Sequence, residues 1–308
     1  MATILNKLID TIFCSDKWNI GYVNQTPGNL IETQKISNNV TWLKESSADY
    51  AADPFVLVRN KSVLIFYENL KKLFEKGTIN VIKDFDVSGQ KKVKGITPEK
   101  IHLSYPYILK EDNKTYCIPE TAAVSEVSLY EVGFEPEVVF SKNRTLVKGE
   151  PFVDSSIVKH NDKYWLFTSV KKKPGQLFIY HADALDSEFK PHKLNPIITD
   201  KKSYRNAGVI FYVNNQLYRP TQNLEKKYGG SIMINQIIEL SETKFSSESK
   251  FEILPFGPYH EGIHNISLSD NLIVFDGKRR YFSLGVPFKK ALRRLIYYSE
   301  KAVPSTKV

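Results

Sequence analysis

Short runs rich in Val, Ile, Tyr and Phe recur along this chain: SVLIFYE, KTYCIPE, KYWLFTS, QLYRPTQ and NLIVFDG. β-Branched and aromatic residues bounded by turn formers predict strands. Each run follows a polar turn, namely Arg59-Asn60-Lys61, Glu111-Asp112-Asn113, His160-Asn161-Asp162, Asn214-Asn215 and Ser269-Asp270-Asn271. Another short strand precedes each turn. Those first strands align as ADPFV at 52–56, SYPYI at 104–108, VDSSI at 153–157, RNAGV at 205–209 and IHNIS at 263–267. Their second residues are Asp53, Tyr105, Asp154, Asn206 and His264, spaced by about 50 residues with a somewhat longer last step. In four of the periods a third strand follows: GTINVIKDF, VSLYEV, QLFIYHA and SIMINQIIEL.

Four-stranded units at this period are the pattern of propeller blades, so the expected fold is all-β, a five-bladed β-propeller. The strand WNIGYV at 18–23 is expected to complete the last blade and close the ring from both chain ends. A β-sandwich with accidental spacing is the alternative. It does not explain why strand order, turn position and strand length repeat together.

Two segments lie outside the repeat. In residues 3–13, Ile4, Leu5, Leu8, Ile9 and Ile12 share one helical face. In 287–298, PFKKALRRLIYY, Leu292, Leu295 and Ile296 share a face among Lys289, Lys290, Arg293 and Arg294, behind a Pro suited to a helix start. The organisation read from the pattern is a helix at 1–17, a propeller at 18–285 and a basic amphipathic segment at 286–308. That last segment either packs on the propeller or lies on an anionic membrane surface.

Composition narrows the function. The 308 residues carry 43 Lys and Arg against 34 Asp and Glu, a net charge of +9, which suits a polyanionic partner. Two cysteines, Cys14 and Cys117, and six scattered histidines provide no disulfide framework and no zinc spacing. No apolar run approaches the roughly 20 residues of a membrane span. Lys7 and Asp10 interrupt the N-terminal apolar stretch, which argues against a signal peptide, so a cytoplasmic location, peripheral to the membrane at most, is expected. Lys-rich stretches such as 90–94 and 171–173 lack the aromatic interleaving of nucleic-acid binders, and nucleic acid is not an expected partner. YGGS at 228–231 has no phosphate-loop pattern. No cofactor and no metal ligand set is assigned, although a metal on the funnel axis stays open.

A propeller gathers equivalent positions of different blades at one mouth of its funnel. The first-strand column contributes Asp53, His102, Tyr105, Asp154, Arg205, Asn206 and His264. The ends of the second strands add Glu68, Glu120, Arg219, Gln222 and Asp276. Such a set suits a ligand with many hydroxyls. Asp53 and Asp154 stand out as carboxylates in a register that otherwise takes Tyr, Asn or His. They can work as acid and base across a sugar ring, or they can bond backbone amides at the blade mouths. Arg205 and Arg219 can grip a phosphate or make inter-blade ion pairs. His264 is a base, a phosphate ligand or simply hydrogen-bonded.

Several of these segments together carry a resemblance. WNIGYV, ADPFV with FYENL, HLSYPYI, YCIPET, VSLYEV, VDSSIV with YWLF, RNAGVIF, LYRPTQN with YGGSI, and GIHNIS with VFDGKR are similar to the propeller region of plant glucosamine inositolphosphorylceramide transferases and of bacterial proteins from surface-polysaccharide loci. The resemblance runs from about Trp18 to Arg279. That family in turn resembles the five-bladed arabinanase, invertase and levansucrase clan, whose enzymes use a first-blade Asp as base or nucleophile and a later Glu as acid. The resemblance thus implies Asp53 in the first role and Glu120 or Glu150 in the second. VDSSIV departs mildly from the family's Asp-Pro-Ser. The plant proteins add a separate glycosyltransferase domain that is not seen in this sequence, so the propeller either acts itself or binds glycan for a partner.

The first expectation is a glycosyltransferase of surface-polysaccharide assembly, taking a nucleotide sugar as donor and a glycan or lipid-linked acceptor. Asp53 would be its base or nucleophile, with Asp154 or Glu120 positioning or protonating. A glycoside hydrolase is the second reading. A silent glycan-binding module, stacking sugars on Tyr105, Tyr107 and Tyr204, is the third.

Overall fold

The computed structural model describes residues 9–45, 50–71, 76–96 and 101–302, the last six as helix backbone. It is a five-bladed propeller. The first blade is built from Tyr50–Arg59, Ser62–Lys71, Lys76–Lys83 and Asp86–Lys92, and the second from Ser104–Glu111, Lys114–Glu120, Glu126–Gly133 and Val139–Lys148. The third uses Phe152–His160, Lys163–Val170 and Gln176–Ala182, with two short outer strands, Lys190–Pro191 and Ile197–Ile198. The fourth is Phe211–Val213, Gln216–Asn223, Ser231–Leu240 and Phe245–Ile253. In the fifth, Ile266–Ser269 and Leu272–Phe282 are joined by Cys14–Asn24 from the other end of the chain, with Thr41–Trp42 outside it.

Closure is therefore as the pattern predicts, but the closing strand is longer than WNIGYV. It pairs antiparallel from Cys14 opposite Phe282 to Asn24 opposite Leu272. Of the N-terminal helix expected over 1–17, residues 9–13 are helix, 14–17 are instead the start of the closing strand, and Ile4, Leu5 and Leu8 fall outside the described residues. A short helix that the periodicity did not flag, Pro27–Thr33, follows the closing strand. Thr26 caps it by accepting the Asn29 N–H at 3.1 Å. The C-terminal helix spans Val286–Ala302.

Polar turns join the first and second strands because both central residues take positive φ: Asn60 and Lys61, Asn161 and Asp162, Asn214 and Asn215. That backbone matches the twist of a tight hairpin. Every blade buries both faces, and each blade junction has its own apolar cluster. Leu57, Phe66 and Ile79 meet Cys117, Tyr130 and Phe140, and Tyr107 and Ile118 meet Ile157 and Leu166. Trp165 and Phe167 meet Leu217 and Ile237, Ile232 and Ile234 meet Ile266 and Phe275, and Ile20 and Val274 meet Val56 and Ile65. Each large apolar side chain so buried contributes about 1.5–3 kcal/mol. Two-sided burial also explains why runs such as SVLIFYE are continuous rather than alternating.

Candidate active site

Three members of the first-strand column are backbone bulges. Asp53, Tyr105 and Asp154 have φ of 49°, 45° and 49°. Pairing with the second strand skips at each one: from Ala52 to Phe55, from Ser104 to Tyr107 and from Val153 to Ser156. An extra residue in the left-handed region re-aims its side chain and twists the strand. In the fourth and fifth blades, Asn206 and His264 lie before the regular ladder, which begins at Phe211 and Ile266.

Side chains link these positions around the axis. Asp276 Oδ2 accepts the Asp53 N–H at 3.0 Å, and its Oδ1 accepts the N–H groups of His264 and Asn265 at 2.9 and 3.1 Å. Asp53 Oδ2 accepts the Tyr105 N–H at 3.3 Å, and Glu120 Oε2 accepts the Asp154 N–H at 3.3 Å. Asn206 Nδ2 donates to the carbonyls of Asp154 and Phe167 at 2.6 and 2.8 Å. Amide bonding and a position in the funnel thus coincide in Asp53, whereas the Asp154 carboxylate takes the side chains of Arg205 and Gln222 instead of a backbone amide.

Asp53, Glu68, His102, Glu120, Asp154, Arg205 and His264 from the predicted set line a cavity of about 210 Å³. Trp18, Tyr50 and Tyr228 supply its aromatic wall. Arg205 Nε donates to Asp154 Oδ2, which also accepts Gln222 Nε2 at 2.8 Å. His264 sits between two carboxylates, with Nδ1 2.7 Å from Asp276 and Nε2 3.4 Å from Asp53. Its ring packs 4.2 Å from that of Trp18 and 5.3 Å from that of Tyr228. His102 Nδ1 accepts the Gly77 N–H at 2.9 Å, so the proton of the neutral ring lies on Nε2, facing Glu68 Oε1 at 3.4 Å.

Burial dominates the electrostatics. It pushes Asp53 up to about 7, against the pull of His264. Burial, followed by the charge of Asp154, lifts Glu120 to about 8. Glu68 is raised well above the usual carboxylate range by burial and then by Asp53. Burial works against a charge on His264, but Asp276 and Asp53 outweigh it and its pKa is raised. At neutral pH, then, the cavity presents a protonated Glu120 as an acid and a partly ionised Asp53 as a base or nucleophile. Such division of labour between carboxyls is what glycosyl chemistry needs.

Other expectations are corrected. Arg219 grips no ligand. It is 1 % exposed, and Nε donates to Asn206 Oδ1 while Nη1 and Nη2 donate to the Ser203 and Tyr204 carbonyls. Asn206, Gln222 and Asp276 are equally buried and act behind the cavity wall. Tyr105 does not contact a ligand: its hydroxyl bonds Ser156 Oγ, accepts from the Gly208 N–H at 2.7 Å and faces the Gly208 carbonyl. Tyr105 and Tyr107 belong to the core and Tyr204 packs between the third and fourth blades, so none is a stacking platform. Glu150, the alternative acid, pairs with Lys173 at 2.6 Å away from the cavity.

Trp18, Tyr50 and Tyr228 are the aromatic lining residues that the column missed. YGGS was the available signal for Tyr228, for a reason unrelated to phosphate. Gly229 has φ +64, and a Cβ there would lie 2.6 Å from the Trp18 ring. Only glycine lets this loop lie against Trp18 and present the half-exposed Tyr228.

Ligand atoms of Asp53, His264 and Asp276 lie within 4.8 Å of one another, close enough to hold one metal ion. No linear spacing displays this trio. The protein's own groups already balance it, since His264 contacts both carboxylates and backbone amides occupy Asp276.

The raised carboxyls have a consequence for stability. Between about pH 4.5 and 8 the native state retains a proton on Glu120 that the unfolded chain has released. Stability therefore falls as pH rises through this window. Glu45, held down to about 2 chiefly by its hydrogen bond from Arg279, acts only below it. The Glu120→Gln variant is expected to show a flatter decline from pH 5 to 8 and a Tm about 2–4 °C above the parent at pH 8. Parallel Tm–pH curves for the two proteins would refute the assignment.

Comparison with known proteins bears on this site. A family model described as "Glucosamine inositolphosphorylceramide transferase 1, N-terminal" matches residues 34–254. Glucosamine inositolphosphorylceramide transferase 1 of Arabidopsis thaliana is 30% identical over 259 residues, covering 74% of this chain and 33% of the relative. The Oryza sativa subsp. japonica protein of the same name is 30% identical over 206 residues, covering 64% and 27%. The chain thus spans about a third of the length of these relatives or less. Among solved structures, a family 117 glycoside hydrolase from Zobellia galactanivorans superposes with a TM-score of 0.52 at 12% identity, over 95% of this chain and 99% of that one. The catalytic domain of a GH62 α-L-arabinofuranosidase from Coprinopsis cinerea gives 0.53 at 13% identity, over 74% and 81%. At such identities the likeness is one of fold.

Proposed function

The chain belongs to the family of the N-terminal region of glucosamine inositolphosphorylceramide transferase 1, and on that premise we propose that it handles the sugar in a glycosyl transfer, seating one ring in the acid-lined cavity. The observation that carries the reading is the convergence of Asp53, Glu68, Glu120 and Asp154 on a space of about 210 Å³ beside Trp18, Tyr50 and Tyr228. That space is small beside the roughly 300–1,000 Å³ of sites for drug-sized ligands. It suits a single sugar ring, with the rest of the donor or acceptor at the mouth.

In this reading Asp53 attacks the anomeric carbon or takes the proton of the incoming hydroxyl, and Glu120 protonates the leaving oxygen. Asp154, held by Arg205 and Gln222, orients the ring hydroxyls. His264 holds Asp53 in place and favours its ionised form as the reaction proceeds. The nucleotide-sugar donor expected from the net charge takes a modified form. Asp154 already neutralises Arg205, and the carboxyls of the cavity disfavour a diphosphate, so any nucleotide lies outside. The surface-polysaccharide setting gains nothing from the relatives, whose names specify inositolphosphorylceramide. Those names put an amino sugar among the ligands to test, and an ammonium group complements the acid-rich cavity.

Titration calorimetry with glucosamine, N-acetylglucosamine and glucose tests the reading. Glucosamine is expected to bind at least roughly tenfold more tightly than glucose, releasing protons as its ammonium ionises Glu120 or Asp53. Equal affinity for the three, or binding of none, would remove the amino-sugar assignment. Hydrolysis is the second reading, favoured by the paired acid and base roles of Glu120 and Asp53. An assay supplying a glycoside with and without an acceptor alcohol separates the two by whether free sugar or a new glycoside accumulates.

A further inference from the structure

We propose that the C-terminal helix docks this domain on an anionic lipid surface, lying in the plane of the interface. Helix Val286–Ala302 meets the propeller through Val286 and Lys290. Lys290 Nζ donates to the Thr11 and Cys14 carbonyls at 2.6 and 3.2 Å, and Val286 is 3% exposed. Phe288, Leu292 and Leu295 recur at i, i+4 and i+7, with Phe288 roughly 160° around the helix from Lys290. They are 79%, 47% and 67% exposed, and Phe282 and Leu284 just before the helix are 57% and 69% exposed. A helix that merely covers a soluble core turns its apolar stripe inward. Here the stripe faces out.

Charge identifies what covers it. Exposed Lys289 and Arg294 flank the stripe on its two sides. An anionic bilayer meets both features, its acyl boundary taking Phe288, Leu292 and Leu295 and its phosphates taking the flanking cations. A second copy docked through the same stripe would bring like charges together. No helix among the described residues is long and apolar enough to cross a membrane, so the contact is along the surface. The surface lies apart from the sugar cavity, and its test does not depend on that site.

Co-sedimentation of the full chain with phosphatidylcholine vesicles, with and without about one third phosphatidylserine, decides the matter. The protein is expected to pellet with the anionic vesicles only, and less at high salt. Phe288→Glu, and separately Lys289→Glu with Arg294→Glu, should each weaken binding at least roughly tenfold. Both leave circular dichroism unchanged, because the side chains are exposed. Equal recovery in the supernatant with either vesicle would overturn the proposal. So would a dimer in sedimentation velocity that Phe288→Glu dissolves while vesicles are ignored, since the stripe would then belong to a second copy.

Discussion

Replacing Asp53 by Asn is expected to lower turnover by about 10³-fold or more while leaving the fold intact. Asn is the informative replacement because residue 53 has φ of 49°, a conformation that Asn tolerates and Ala does not. The new amide oxygen can still accept the Tyr105 N–H, as Asp53 Oδ2 does. His264 can meet the new amide as a neutral ring, keeping its Nδ1 proton toward Asp276. Removing a buried carboxyl also removes a charge that the site accommodates poorly, since burial has already pushed Asp53 to about 7. Stability at pH 8 should accordingly hold or rise. The measurement is turnover of a glycoside of the sugar that binds in calorimetry, together with a Tm. Activity within tenfold of the parent would take Asp53 out of the chemistry and leave it as a link between blades.

The largest expected effect on stability comes from Gly208→Ala. A Cβ at this position would stand 1.8 Å from the Ile266 carbonyl oxygen and 2.5 Å from Asn265 Oδ1, and φ is +123°. The Ile266 backbone cannot move freely, because its carbonyl accepts the Val209 N–H and its N–H donates to the Ala207 carbonyl. Gly208 also exchanges hydrogen bonds with the Tyr105 hydroxyl, and its carbonyl accepts from Ser156. One added methyl group thus forces apart the fourth and fifth blades and the polar knot joining them to the second and third. A loss of more than about 4 kcal/mol is expected, enough to unfold a marginally stable domain. Urea denaturation of the variant checks this, and a midpoint matching the parent would mean that the blades do not approach so closely.

These two positions mark the boundary between what sequence and tertiary structure decide. Local pattern carries the repeat. Asn60-Lys61, Asn161-Asp162 and Asn214-Asn215 punctuate hairpins because their residues accept positive φ, and two-sided burial makes the inner strands uniformly apolar. Period and turn chemistry are local quantities, so blade number, strand order and closure by WNIGYV could be read before any coordinate. Asp53 and Asp154 were legible for the same reason, as carboxylates in a repeated register that otherwise takes Tyr, Asn or His, and Glu120 as a carboxylate at the end of a second strand.

What the pattern did not reveal is which polar side chains face the cavity and which lie behind it. Arg205 and Arg219 look alike in sequence, each beside small or turn-forming residues. Arg205 meets Asp154 in the funnel, while Arg219 spends its guanidinium on the Ser203 and Tyr204 carbonyls. Tyr105, expected to face the ligand, is sealed into the core, while Tyr228, to which the pattern gave no role, is brought to the mouth by the tight packing of Gly229 on Trp18. Depth below the surface depends on side chains 52 to 223 positions away along the chain. The same holds for the acidities of Asp53 and Glu120, which burial and the surrounding charges set together. Sequence determined the ring and placed the acids on it; only the closed propeller, by removing water from one end of its axis, decided which of them carry a proton and which can do chemistry.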